Sequence, residues 1–328
     1  MNEPLLRVRG LRKLFPVGRR ALGRAPDQFV HAVDDVGLDL AAGEALALVG
    51  ESGCGKSTLA LTLLGLETAT AGSIHFEGND LAAAPASVWK AARRHIQMIF
   101  QDPYESLNPL MTVGEIVAEP LHVHKLAPNA AERRRRSVAA LEDAGLKPAE
   151  HFLARFPHEL SGGQRQRVAI ATALVLEPRL LVADEPVSML DVSIRAEILN
   201  LLADLKARRS IAVLFITHDL GTVSAVADRI AVMYLGRIVE MGTVQEVMTA
   251  PRHPYTQALL SVVPAPNPRL RRQHIILQGE TPDPVKLPTG CRFHPRCPVA
   301  VERCRTIDPP LQTIGGTQAA ACIRLDEA

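Results

Sequence analysis

The chain has 328 residues, of which 47% are hydrophobic and 22% charged, and its net charge is +2. That length accommodates about two domains of ordinary globular composition. The even charge balance argues against a nucleic-acid binder, and no segment reaches the roughly 18 consecutive apolar residues that a membrane-spanning helix needs.

The opening residues, MNEPLLRVRG, lack the basic-then-apolar pattern of an export signal, so a reducing compartment is expected. Cysteine use is uneven: Cys54 stands alone, and Cys291, Cys297, Cys304 and Cys322 all fall near the C-terminal end. In a reducing compartment such a group favours metal ligation over disulfides.

In chain order, residues 5–15 and 29–49 alternate apolar and polar positions and predict strands. VGRRALGRAPDQ between them predicts an exposed loop. ALALVG (45–50) is a short apolar run ending in glycine, the pattern of a buried parallel strand that feeds a phosphate loop. Helical spacing follows over 56–66, and residues 88–160 are mostly helical in pattern, predicting an inserted helical subdomain over about 88–165. Its basic run, ERRRR at 132–136, is read as a solvated helix face. From 165 to 235 helix and strand patterns alternate, which implies parallel strands with packed helices. After about residue 262 the chain turns proline-rich, in VPAPNP and GETPDPVKLPTG, and a boundary is expected between 1–262 and 263–328.

GESGCGKS (50–57) fits G-x-x-x-x-G-K-[ST]. Its glycines let the backbone curl so that successive N–H groups meet phosphate oxygens, and the helix behind adds its positive end. The motif assigns Gly50, Glu51, Ser52, Gly53, Cys54, Gly55, Lys56, Ser57 and Thr58 to nucleotide binding. Lys56 is expected at the β- and γ-phosphates, Ser57 on Mg²⁺ and Thr58 on phosphate, with Cys54 incidental. In LLVADEP (180–186) an apolar strand delivers Asp184 to the outer shell of the metal, and Glu185 follows, able to polarise an attacking water. LSGGQ (160–164) places Ser161 and two glycines ahead of a helix, a second anion cradle that one chain with one phosphate loop does not need.

GESGCGKS, LSGGQRQR, LLVADEP and THD (217–219) in this order resemble the ABC ATPase family. The resemblance implies an α/β fold of the P-loop NTPase type: a RecA-like core, an antiparallel β subdomain, a helical subdomain and a small Cys-rich C-terminal region. It implies that Ser161, Gly162, Gly163 and Gln164 close over ATP held by another subunit. Gln101 resembles the glutamine that contacts Mg²⁺ and water, Asp191 of SMLD (188–191) a residue that crosses to the other subunit, and His218 the histidine that holds the γ-phosphate. Met189 departs from the alanine usual in that loop. Phe15 is the candidate for stacking on adenine, with Phe29 its competitor.

HPYTQALLSVVP (253–264) and GETPDPVKLPTGCRFHPRCPVAVERC (279–304) resemble one branch of the family, the ATPase subunits of oligopeptide/dipeptide importers, over about residues 4–325. That implies an ATP-hydrolysing subunit, peripheral on the cytoplasmic face of the membrane. It would be paired with a second, similar ATPase and with two transmembrane permeases, and served indirectly by an extracytoplasmic solute-binding protein. Nickel or oligosaccharide import is the alternative, and a non-transport ABC ATPase a further one. An efflux ATPase and a subunit that no longer hydrolyses are also weighed; the Cys-rich end argues against the first, and intact Lys56, Glu185 and His218 against the second. The C-x5-C-x6-C-x17-C spacing of Cys291, Cys297, Cys304 and Cys322 matches neither common zinc sites nor the ferredoxin pattern, and leaves cluster, zinc or no metal open. The resemblance implies a 4Fe-4S cluster.

Overall fold

Ala45–Val49 is buried along its whole length, so it reads as an unbroken apolar run, as a strand covered on both faces should. The computed structural model describes residues 3–18, 28–263 and 274–325. Most of the loop expected between the first two strands, and most of VPAPNP, lie outside the described residues. In chain order the strands are β1 (Leu6–Val17), β2 (Gln28–Leu40), β3 (Ala45–Val49), β4 (Ala71–Phe76), β5 (Asn79–Asp80), β6 (Ile96–Ile99), β7 (Leu180–Asp184), β8 (Ala212–Thr217), β9 (Arg229–Tyr234), β10 (Arg237–Thr243), β11 (Gln312–Gly315) and β12 (Gln318–Ala320).

The larger sheet runs β11-β12-β10-β9-β3-β8-β7-β6, and the smaller one β2-β1-β4-β5. β6, β7, β8, β3 and β9 pair parallel, while the smaller sheet is antiparallel. The strand period of two sorts the side chains into two cores. Ala47, Val49, Ala183 and Phe215 face one; Leu46, Leu48, Val182 and Leu214 face the other. The second core is closed by α1 (Lys56–Leu63), through Leu59, Ala60 and Leu63, and by the inner faces of β1 and β2. The first takes α2 (Gly162–Leu174), α3 (Val192–Arg209) and the helical group Pro103–Ser106, Val113–Val123, Ala130–Asp143 and Glu150–Leu153. The stretch expected as helical from about residue 88 is helical over Ala86–His95 and then contains a strand of the core sheet: β6 pairs with β7, and the helices packed on the first core follow it. Four apolar-to-polar residues cannot display a helix or strand period, which is why β6 was not legible. Among the described residues no helix is long and apolar enough to cross a membrane.

The stretch after residue 262 was expected as an appended unit, yet it extends the same sheet, with β12 antiparallel to β10. Glu240, fully buried on β10, accepts hydrogen bonds from the backbone N–H groups of Arg252 and His253 and from the Gln318 amide of β12. Phe293 is buried among Tyr234, Tyr255 and His253, with ring centroids 5.2, 5.4 and 5.6 Å away. Burial pushes His253 down to about 3, so it is neutral, and its Nδ1 accepts the Tyr255 N–H at the start of α4 (Pro254–Ser261). A segment too poor in aliphatics to make its own core thus borrows an aromatic one. Phe293→Ala should lower unfolding stability by about 3–4 kcal/mol. It should also expose residues 274–325 to limited proteolysis; a urea midpoint and a cleavage pattern both matching wild type would refute this docking.

Candidate functional site

A parallel sheet buried on both faces can present polar groups only at its strand ends, and there the structure opens a cleft of about 780 Å³. Phe15, Gly50, Glu51, Ser52, Gly53, Gly55, Lys56, Ser57, Thr58, Gln101, Glu185 and His218, all expected from sequence, line it. β3 feeds the loop and α1 leaves it. Gly55 has φ +108, and a Cβ there would lie 1.9 Å from the Ala32 carbonyl oxygen, so only glycine fits. Lys56 is nearly buried and donates to the carbonyls of Gly50 and Glu51 at 2.8 and 2.9 Å, which holds the loop curled. Cys54 points away from the cleft, buried in the second core, and burial raises its thiol above the usual range.

At the end of β7 the chain turns sharply. Glu185 has φ +45, a left-handed conformation that costs a bulky residue of order 1 kcal/mol or more. It is held by its N–H donating to Ile216 O and by Ser188 Oγ donating to its carbonyl. The turn carries its carboxylate into the cleft, where His218 Nδ1 lies 3.0 Å and Gln101 Nε2 3.3 Å from the same oxygen, Oε2. Three residues from three strand ends, expected to act together, are in contact. Asp184 sits deeper, 6% exposed, and its Oδ1 has no hydrogen-bond partner among the described residues. Burial raises its carboxyl above the ordinary value, opposed by the Ser57 hydroxyl and then by Lys56, while Glu185 adds to the rise. A hydroxyl beside an orphaned carboxylate oxygen fits a hard divalent cation such as Mg²⁺.

Two sequence candidates lie elsewhere. Ser161–Gln164 and Asp191 do not line the cleft. Ser161 caps α2, accepting the Gln164 N–H while Gln164 Oε1 accepts the Ser161 N–H, and the helix start faces solvent. Asp191 precedes α3, beside Met189 and Val192, which are 61% and 81% exposed. Phe15 lines the cleft with Val30 opposite it in register, and Lys13 Nζ lies 4.5 Å from its ring centroid; Phe29 is not part of the lining. Leu259 and Pro284 complete the wall, and neither was anticipated. Their segments, HPYTQALL and GETPDP, carried a family likeness in sequence but no signal of nucleotide contact.

The chain matches the family model described as ABC transporter over residues 33–188. It matches that of the oligopeptide/dipeptide transporter C-terminal region over residues 239–304. It is 47% identical over 324 residues to a probable peptide ABC transporter ATP-binding protein, y4tS, of Sinorhizobium fredii, covering 98% of this chain and 90% of that one. It is 45% identical over 327 residues to the dipeptide transport ATP-binding protein DppF of Escherichia coli, covering 100% and 96% of the two chains. The chain belongs to the ATP-binding subunits of the oligopeptide/dipeptide ABC importers. Among solved structures, the dimeric post-hydrolysis state of the ATP-binding cassette MJ0796 bound to ADP and Pi matches with a TM-score of 0.65 and 29% identity, covering 73% of this chain and 98% of that one. This ABC subunit is accordingly an ATPase with the cassette fold, and ATP is its nucleotide.

None of the five cysteines is in a disulfide. Burial is the first cause that pushes Cys291 up to about 11, and its N–H donates to the Cys304 carbonyl at 2.9 Å. Among the described residues no group of three or more His, Cys, Asp or Glu adopts metal-holding geometry, and the expected iron–sulfur centre is not formed as a ligand set. Burial raises the Cys291 and Cys297 thiols, which pack against the core that holds Phe293, and a neutral thiol, unlike a thiolate, has no reason to crowd others.

The folded value of Asp184 lies above its unfolded one, so this carboxyl contributes stability at acid pH and loses it as pH rises through the folded value. At neutral pH it is a liability that a cation offsets. Asp184→Asn should raise the melting temperature of nucleotide-free protein by about 2 °C. The same change should weaken Mg²⁺-dependent nucleotide binding at least about tenfold; thermal shift with and without Mg²⁺·ATP measures both, and an undiminished Mg²⁺ effect would refute the role.

Proposed function

We propose that this subunit holds ATP between its own phosphate loop and the Ser161–Gln164 cradle of a second, similar ATPase, and that closing and reopening this sandwich drives two transmembrane permeases that import peptides. The observation that carries the reading is the contact of Glu185 with both Gln101 and His218 in a cleft that lacks the signature residues of its own chain. A cradle capped and facing solvent is available to another subunit's nucleotide. The exposed Met189 and Val192 beside Asp191 supply an apolar contact for the same interface.

Lys56 and the loop N–H groups hold the β- and γ-phosphates. Phe15, Val30 and Leu259 form the base end of the cleft. Ser57, Asp184 and Gln101 are the groups that would hold Mg²⁺, which when bound neutralises phosphate charge. Glu185, kept in place by its strained turn, accepts a hydrogen bond from the attacking water and draws off its proton. Gln101 and His218 orient that carboxylate, and His218 stabilises charge on the γ-phosphate. The peptide cargo, the cytoplasmic-face location and the indirect service by an extracytoplasmic binding protein rest on kinship with the peptide and dipeptide transport subunits. Two different ATPases are the expected pair.

Glu185→Gln should retain ATP binding, abolish turnover and trap the closed pair. The assay is a reconstituted transporter whose partner ATPase is disabled in the same way; hydrolysis near the wild-type rate would sink the role of Glu185. Isolation of a fully active transporter with this chain as both ATPases would refute the heterodimer.

We further infer that Cys291, Cys297, Cys304 and Cys322 are ligands of a 4Fe-4S cluster. Support comes from the Cys291 N–H donating to the Cys304 carbonyl at 2.9 Å and from Cys291 and Cys297 packing on one core, where metal would draw the four sulfurs together as thiolates. Protein purified without oxygen should be brown and contain about four irons per chain. One tightly held zinc per chain would replace the cluster by zinc, and a metal-free protein with an ordered C-terminal region would remove the centre.

A further inference from the structure

Glu51 is an acidic residue within the phosphate loop. It lines the cleft where a polyanionic nucleotide would sit. Left alone there, it would repel the ligand the loop is shaped to hold. Its N–H is turned to the buried Tyr255 hydroxyl, at 2.9 Å. Its carboxylate is met by the C-terminal region: Arg296 Nη1 donates to Oε2 at 2.7 Å and Nη2 to Oε1 at 3.1 Å, a two-point fork. Thr281 Oγ1 donates to the same Oε2 at 3.0 Å and accepts from Arg296 Nη1 at 3.3 Å, closing a triangle. The Arg296 side chain is 9% exposed, its guanidinium 6.0 Å from the Tyr234 ring centroid. Two residues farther along from Thr281 and its proline, Pro284 accepts the His31 N–H at 3.0 Å and forms part of the cleft wall. The segment 281–296 therefore touches both the phosphate end of the cleft and its β2 wall.

We propose that Arg296 is a positioning residue for the nucleotide: by neutralising Glu51 and pinning the phosphate loop, it makes the C-terminal region a determinant of ATP affinity. The inference rests on reading the cleft as the ATP site. Arginine suits the task better than lysine, because its planar fork engages both carboxylate oxygens and fixes the direction of the loop as well as its charge. The contact couples two parts of the chain that lie far apart in sequence, so any loosening of residues 281–296 reaches the phosphates through one ion pair.

The test uses the full chain and the equilibrium binding of a fluorescent ATP analogue with Mg²⁺. Arg296→Ala should weaken binding about tenfold at low salt, and the loss should shrink as salt screens the uncovered carboxylate. Adding Glu51→Gln to Arg296→Ala should recover affinity to within about threefold of wild type, a coupling that a purely structural arginine would not produce. Wild-type affinity in Arg296→Ala overturns the proposal, as does a loss that Glu51→Gln leaves unchanged. If Arg296→Ala does not fold, Arg296→Lys and Arg296→Gln are compared: lysine should bind ATP more tightly, and equal binding overturns the proposal. Lys56→Ala in the same assay separates the two readings. Binding indifferent to Lys56 would count against the cleft, whereas binding that needs Lys56 and ignores Arg296 would count against the clamp alone.

Discussion

The burial of β3 on both faces is the constraint on which the rest depends. A strand with apolar neighbours above, below and on either side has nowhere to place polar chemistry except beyond its end. The loop that leaves it must turn at once into α1, and Gly55 must pass against the Ala32 carbonyl, where any side chain would collide. Lys56, folded back onto the Gly50 and Glu51 carbonyls, satisfies oxygens that the tight turn would otherwise leave exposed to the cleft. The same logic brings Glu185, His218 and Gln101 together, since they follow the neighbouring parallel strands β7, β8 and β6 at the same edge.

The candidate site carries both backbone strain and an orphaned buried charge. Glu185 occupies a left-handed backbone conformation, and Asp184 carries a buried carboxylate oxygen without a hydrogen-bond partner among the described residues. Neither serves the stability of the isolated chain. Both are intelligible if the site is completed from outside, by a cation at Asp184 and by a nucleotide and a second subunit over the cleft. The separation of the signature helix from the cleft fits the same division of labour: the groups that would finish the site lie on a different surface of the fold.

The C-terminal region solves a problem of supply. With many prolines and few aliphatics it cannot fold by its own burial. It instead adds β12 to the sheet, places Phe293 in the Tyr234–Tyr255–His253 cluster, and ties its backbone to the buried Glu240. Docking also sets Arg296 on Glu51 and Pro284 in the wall of the candidate cleft, so that a part of the chain without any phosphate-binding motif borders it.

Sequence by itself determined the local vocabulary of the candidate site. The phosphate loop, the acidic strand end, the signature cradle and the buried strands were legible because each depends on local spacing: a glycine where the backbone must curl, an apolar run where both faces are covered, a carboxylate one step past a strand. Tertiary structure alone decided the partners of those residues. Nothing local to Glu51 announces Arg296, which is 245 positions away. The short β6 carries too few residues to display a period, and Leu259 and Pro284 are ordinary until the fold sets them against the cleft. Long-range contacts are set by how the cores close, and a single sequence records the local requirements of each segment without the distances between them.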